Sequence, residues 1–180
     1  AAIWNNIELA HKAKIFLMGS GADLIASLFN ISRDEVDKQA LKSQQNALNA
    51  QKNNYFKSII PVINSTKLIH CIEDECIRSD ATIESLALLD PSFKQLGEQG
   101  VDKAQLNLFP DLKEISHVHT AGNSPAMADA ASMTILSNKK IQENGQKARA
   151  KIISVATVND DPLLVLSGCI LATQKILSQN

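Results

Sequence analysis

His117 and His119 stand one residue apart, a spacing that in extended chain puts both imidazoles on one face, where they could grip a metal. A metal site needs a third and a fourth ligand, and the neighbouring sequence does not supply them, so no metal is expected. Cys71 and Cys76, with His70 beside them, could ligate zinc or form a nucleophile. No C-x-x-C pair recurs and nothing marks either thiol as activated, so both are read as buried apolar cysteines. Asp74 and Glu75 are adjacent and would point to opposite faces of an extended chain, which bars them from serving one substrate as paired acid and base. They read as solvated or structural carboxylates. Ala121-Gly122-Asn123-Ser124-Pro125 is a small-residue turn between an extended stretch and a helix. Backbone amides and a helix N-terminus in such a turn can meet an anionic or polar ligand, although most such turns only punctuate the chain.

The elements that must position these groups follow from periodicity. Leu24, Ile25 and Leu28 at helical spacing predict a short helix over 21–29, stopped by Asn30. Ser32 precedes Glu35 by three residues, a capping box, so a longer helix should start at Arg33 with Val36, Ala40, Leu41, Ala47 and Leu48 as its packed stripe. The run YFKSIIPVI over 55–63 is strand-like, but Pro61 confines it to a short edge pairing. Residues 82–89 read as a helix ended by Asp90-Pro91. The segment 97–111, with two Gly and one Pro, reads as a loop. Alternation over 131–137 predicts a strand, KKIQENGQK a polar helix, and the β-branched run 150–158 a second strand. Asp160-Asp161-Pro162 should cap a last helix running to Leu177, apolar nearly all round and so in need of burial on most faces. Strand, helix, strand, helix over the last third argues for layered α/β structure.

The 180 residues are 44% hydrophobic, 21% charged and 4% aromatic with a formal net charge of −1, a globular balance without the basic footprint of a nucleic-acid binder. No apolar run approaches the roughly 20 residues that span a bilayer, and the first residues lack a signal-peptide pattern, so no membrane partner and a cytoplasmic location are expected. Cys71, Cys76 and Cys169 make an odd count without framework spacing, as reduced thiols do. From the residues alone the reading stops at a soluble α/β fragment.

Four collinear stretches carry the reading further. MGSGADLIASLFNISRDEVDKQALKSQQNALNAQ from Met18, DECIRSDATIESLALLDPSF from Asp74, HVHTAGNSPAMADAASMTILS from His117 and DDPLLVLSGCILATQKIL from Asp160 each resemble, in order, segments of the thiolase family. The insertion GVDKAQLNLFPDLKEI is similar to one found in a bacterial acetyl-CoA acetyltransferase branch. The resemblance implies an α/β thiolase-like fragment: a helical and irregular loop domain over 1–120 with a divergent N-terminal lead-in, the end of the N-terminal core over 121–148 and the start of the C-terminal core over 149–180. It further implies acyl transfer on acetyl-CoA or acyl-CoA thioesters in fatty acid metabolism, with coenzyme A thioester as substrate rather than a resident cofactor, and a homo-oligomer. The family's nucleophilic Cys, activating His and second acid–base Cys lie on motifs upstream and downstream, and none of the three cysteines here matches them. A noncatalytic acyl-CoA-binding or assembly module is the alternative.

By the same resemblance, Arg78 and Ser85 lie beside the nucleotide and pantetheine portions of coenzyme A, Phe93 and Ala121 line the pantetheine channel, Ser124 is near it, and Met18 borders the acyl pocket. A guanidinium suits phosphate or adenine, and small or apolar residues let a narrow pantetheine arm pass. Without the resemblance, Arg78 would be a solvated charge, and Phe93 and Met18 plain core. The chain departs from the family pattern at Pro125-Ala126, which replaces Ser-Gly and removes a hydroxyl, at Asp129-Ala130-Ala131 in place of "DGA", and at Leu17, where many members have His.

Overall fold

The computed structural model describes residues 16–66, 68–138 and 147–179, together with Leu9, Lys12 and Ala13. Helix α1, Met18–Leu28, buries Ser20, Gly21, Asp23, Leu24 and Ala26 along one face. It stops where Asn30 turns left-handed at φ 53°, which lets the Ile31 amide donate back to the Ala26 carbonyl at 2.8 Å in a Schellman wrap. Helix α2, Arg33–Lys52, opens on the expected capping box: Ser32 N donates to Glu35 Oε2 at 2.8 Å and Glu35 N donates to Ser32 Oγ at 3.3 Å. The fixed Ser32 amide, with the Ser32 hydroxyl second, holds the Glu35 carboxyl below its ordinary value. The expected apolar stripe of α2 is half-buried, and its one fully buried residue is Asp37.

Strands β1, Val62–Ile63, and β2, Ile69–Cys71, form a two-stranded antiparallel ribbon that begins only after Pro61, which confirms the short pairing expected of that run. Helix α3, Ile83–Ala87, carries its own capping box through Thr82 and Ser85 and ends ahead of Asp90-Pro91 as expected. After α4, Lys94–Leu96, the chain kinks within Gly97–Val101 and enters α5, Asp102–Leu108. This corrects the loop expected over 97–111. Gly100, at φ 121°, is the non-helical kink between two helical pieces, and Ala104, Leu106 and buried Gln105 turn α5 toward the core. That core is the cluster Phe16, Leu24, Ile115 and Leu163, with Leu28, Val101, Phe109, Leu112 and Leu164 against it.

The last third departs most from expectation. Residues 125–138 and 147–158 have no regular secondary structure and are almost wholly exposed, so neither the helix after Pro125 nor the strands over 131–137 and 150–158 are present. Among the described residues the two strands expected of a layered core are therefore not formed. Alternating side chains make a strand only where a neighbour supplies the ladder, and among the described residues none pairs with these runs. The polar helix expected over 139–147 falls almost entirely outside the described residues. Helix α6, Gly168–Gln179, starts later than the Asp-Asp-Pro signal implied. The two carboxylates cap a turn instead: Asp160 Oδ2 accepts from Ser167 Oγ, Asp161 Oδ1 accepts from Leu163 N at 3.0 Å, and Val165 sits left-handed at φ 53°. Leu163 is thereby buried in the core, while α6 buries none of its residues and leaves Ile170 and Leu177 exposed. Among the described residues no helix is long and apolar enough to cross a membrane.

Candidate functional site

The segment 115–124 is an extended strip ending in the Ala121–Ser124 turn, and α1, α2, α3 and α5 all reach it. From α1, Asp23 is fully buried and acts as the strip's neighbouring strand. Its Oδ1 accepts from the Val118 and His119 amides at 3.2 Å each and from His119 Nδ1 at 2.6 Å, while Oδ2 meets His117 Nδ1 at 2.9 Å. One turn further along α1, Ser27 Oγ accepts from Ser116 N at 2.8 Å. From α5, Asp102 Oδ2 meets the other ring nitrogen of His117, Nε2, at 3.0 Å. His117 and His119 do share a face as their spacing implied, and a carboxylate lies between them. Among the described residues no group of three or more His, Cys, Asp and Glu is arranged to hold a metal ion.

Asn123 fixes the turn. Its Oδ1 accepts from Thr120 N at 2.8 Å, and its Nδ2 donates to Val118 O at 3.0 Å and to buried Asp37 on α2 at 2.8 Å. Asp37 is held in turn by Arg33 Nε at 2.7 Å. Gly122 lies under α3, where a Cβ would stand 2.5 Å from both Leu86 Cδ2 and Leu89 Cδ1, so only glycine allows so close an approach. On the strip's other edge Pro91 and Thr120 form an antiparallel bridge, and Ser92 N donates to His119 O at 2.9 Å.

Of the residues singled out from sequence, Ala121 and Ser124 are on this strip and Arg78 touches it. Arg78 donates from both terminal guanidinium nitrogens to the Ala121 carbonyl at 3.2 Å, although 43 residues separate them, and its own amide is held by Gln44 Oε1 at 2.7 Å. The guanidinium is exposed and keeps further N–H donors for an anion. Ser124 is half-buried on the same turn. Ser85 is on α3 beside Leu86, but its hydroxyl is committed to the capping box, donating to Thr82 O at 2.9 Å and accepting from Thr82 N at 3.0 Å. Phe93 follows the Pro91 bridge, and its ring lies so close over Gly19 that any side chain there would collide with it. Met18, next to Gly19, is 67% exposed at the open end of α1. Arg78 and Ala121 are thus brought into contact, and Phe93 lies against Met18's neighbour. None of the six lines either of two open cavities, of about 360 and 390 Å³.

Cys71 and Cys76 are half-buried, which corrects their reading as buried cysteines, and Cys169 is exposed; all three are free thiols. Asp74 Oδ1 accepts from Cys76 N at 2.8 Å and is a turn-forming carboxylate. Asp23 and Asp37 escaped sequence reasoning. The available signal was an aspartate on the packed side of a helix, where a charge survives only with several partners.

The family model for Thiolase, N-terminal domain, matches residues 4–105. The 3-ketoacyl-CoA thiolase of Aliivibrio fischeri is 34% identical over 168 residues, 91% of this chain and 38% of that protein. The 3-ketoacyl-CoA thiolase of Serratia proteamaculans is 33% identical over the same shares of each chain. The acetyl-CoA acetyltransferase of Shinella zoogloeoides is 33% identical over 166 residues, 90% of this chain and 37% of that protein. The chain therefore spans less than two fifths of the length of the curated relatives it matches.

Proposed function

We propose, from the premise that this chain belongs to the thiolase family, that it is the segment of a thiolase-type acyltransferase that receives coenzyme A and supports assembly, without the groups that break and form bonds. The observation that carries this reading is the Arg78–Ala121 contact, which sets an exposed guanidinium on a turn of small residues. A cation there can meet phosphate, and the small side chains of Ala121 and Ser124 leave room for a pantetheine arm. Phe93 and Met18 continue the path toward the acyl end. In Claisen condensation or thiolysis the acyl group passes through a cysteine thioester, and the thiolate that forms it belongs to motifs outside this segment. Assembly into a homo-oligomer is favoured by the exposed apolar residues of α6 and of the β1–β2 ribbon, surface that association would remove from water.

Pro125, which has no hydroxyl to offer a pantetheine amide, favours a second reading as a noncatalytic acyl-CoA-binding or assembly module. Both readings expect purified chain to show no thiolysis of acetoacetyl-CoA above buffer. Measurable acetyl-CoA formation would contradict the reading that none of this chain's cysteines is the catalytic nucleophile. Activity regained when the remaining family segments are supplied on a second chain would select the acyltransferase reading over the module.

A further inference from the structure

We propose that His117 is held as an imidazolium between Asp23 and Asp102, and that this charged latch seats the Thr120–Ser124 turn, so that the turn loosens as pH rises. The proposal rests on the coenzyme A reading only for what the turn meets.

A neutral imidazole has one N–H and one lone pair. Both ring nitrogens of His117 face carboxylate oxygens, Nδ1 at 2.9 Å from Asp23 and Nε2 at 3.0 Å from Asp102. In either neutral tautomer one of these contacts would set a lone pair against a carboxylate, whereas the imidazolium donates to both. The ring is only 12% exposed and Asp23 not at all, so water cannot easily take the place of a lost partner. The titratable groups facing the ring are Asp23 from α1 and Asp102 from α5. On its own strip, His119 reaches the other oxygen of Asp23 through Nδ1, a donation that its neutral form also makes. Burial disfavours the charge on His117, but the hydrogen bonds of Asp23 and then Asp102 outweigh it and raise its pKa above the ordinary imidazole value.

The direction follows from linkage. A histidine whose pKa is raised by folding contributes its full stabilisation below the unfolded value and loses it as pH climbs through the folded one. The latch is therefore closed below the ordinary imidazole value and opens as pH rises through the raised value of the folded chain. The segment it releases carries Asn123 and Ala121, so the seat of Arg78 moves with it.

The test is ring and amide NMR on the full chain labelled with ¹⁵N, between about pH 5 and 9, a range that brackets the ordinary imidazole midpoint. One histidine should keep both ring nitrogens protonated past the ordinary imidazole midpoint and titrate above it. The amide signals of Thr120, Gly122 and Asn123 should move with the same midpoint. Asp102→Asn, at a partly exposed site, should lower that midpoint by about one unit or more. A His117 ring that titrates at or below the ordinary imidazole midpoint, or turn amides that ignore its titration, would overturn the proposal; should Asp102→Asn not fold, the wild-type ring spectrum decides alone. An intact titration in a chain that binds no coenzyme A at any pH would support the latch while removing the reading of the turn as a coenzyme A seat.

Discussion

Asp23→Ala is expected to lower the stability of this chain by about 3–5 kcal/mol, the cost typical of removing one member of a buried charge pair. The carboxylate receives two backbone amides and two imidazoles, and it is the principal tie between α1 and the 115–124 strip. Without it the His117 charge faces Asp102 alone and the Val118 amide, in a buried residue, has no acceptor. Domains commonly have about 5–15 kcal/mol in total, so the variant should lose from a fifth of its stability to nearly all of it. At about 2–4 °C per kcal/mol for a chain of this size, melting should fall by about 6–20 °C. Asp34→Ala, at a carboxylate 58% exposed and paired only with Lys38 on the same helix, is the control and should change stability by less than about 1 kcal/mol. Equal melting temperatures for the two variants would remove Asp23 from its place as organiser of the strip.

The second large effect is expected at Asn123. Truncation to alanine removes the acceptor of the Thr120 amide, the donor to Val118 O and one of the partners of buried Asp37, a combined loss of about 2–4 kcal/mol. Asn123→Asp separates hydrogen bonding from shape. It keeps the size of the side chain but turns the Nδ2 donor into a second carboxylate oxygen 2.8 Å from Asp37, so it should destabilise as much as alanine or more. The urea midpoints should fall with unchanged denaturant slope, since the surface exposed on unfolding is the same. An Asn123→Asp midpoint equal to that of the wild type would mean that the turn is held by its backbone alone.

The parts of this fold that sequence revealed are those decided locally. Ser32 and Glu35 announce the start of α2 because a capping box is made of four consecutive residues, and Asp90-Pro91 ends the α3 region through a clash between neighbours. The misread parts are those decided at a distance. Gly97 and Gly100 argued for a loop, but the inward face offered by Ala104, Gln105 and Leu106 outweighed them. Met133 and Ile135 alternate as a strand does, yet alternation marks two faces and not a neighbour to pair with. Asp160 and Asp161 looked like helix caps until Ser167 and Leu163 claimed their oxygens.

The candidate site was legible to different degrees. Family resemblance pointed to Arg78 and Ala121, which the fold joins through one carbonyl. The same resemblance could not reveal that the Ser85 hydroxyl is committed to its own helix cap. The Asp23 carboxylate that organises the strip lies 94 residues before His117, and no local pattern connects the two. The His117/His119 spacing did indicate a shared face, but what that face meets was set by the packing of α1 beneath it.

Central to the account is that the exposed Arg78 guanidinium and the turn it rests on receive coenzyme A. Calorimetric titration of coenzyme A into the full chain and into Arg78→Ala tests this most directly. The account predicts saturable binding on the order of micromolar in the wild type and at least about tenfold weaker binding in the variant, since a hydrogen bond to a charged group contributes about 1.5–3 kcal/mol. No saturable heat in the wild type, or equal affinity in both proteins, would contradict it.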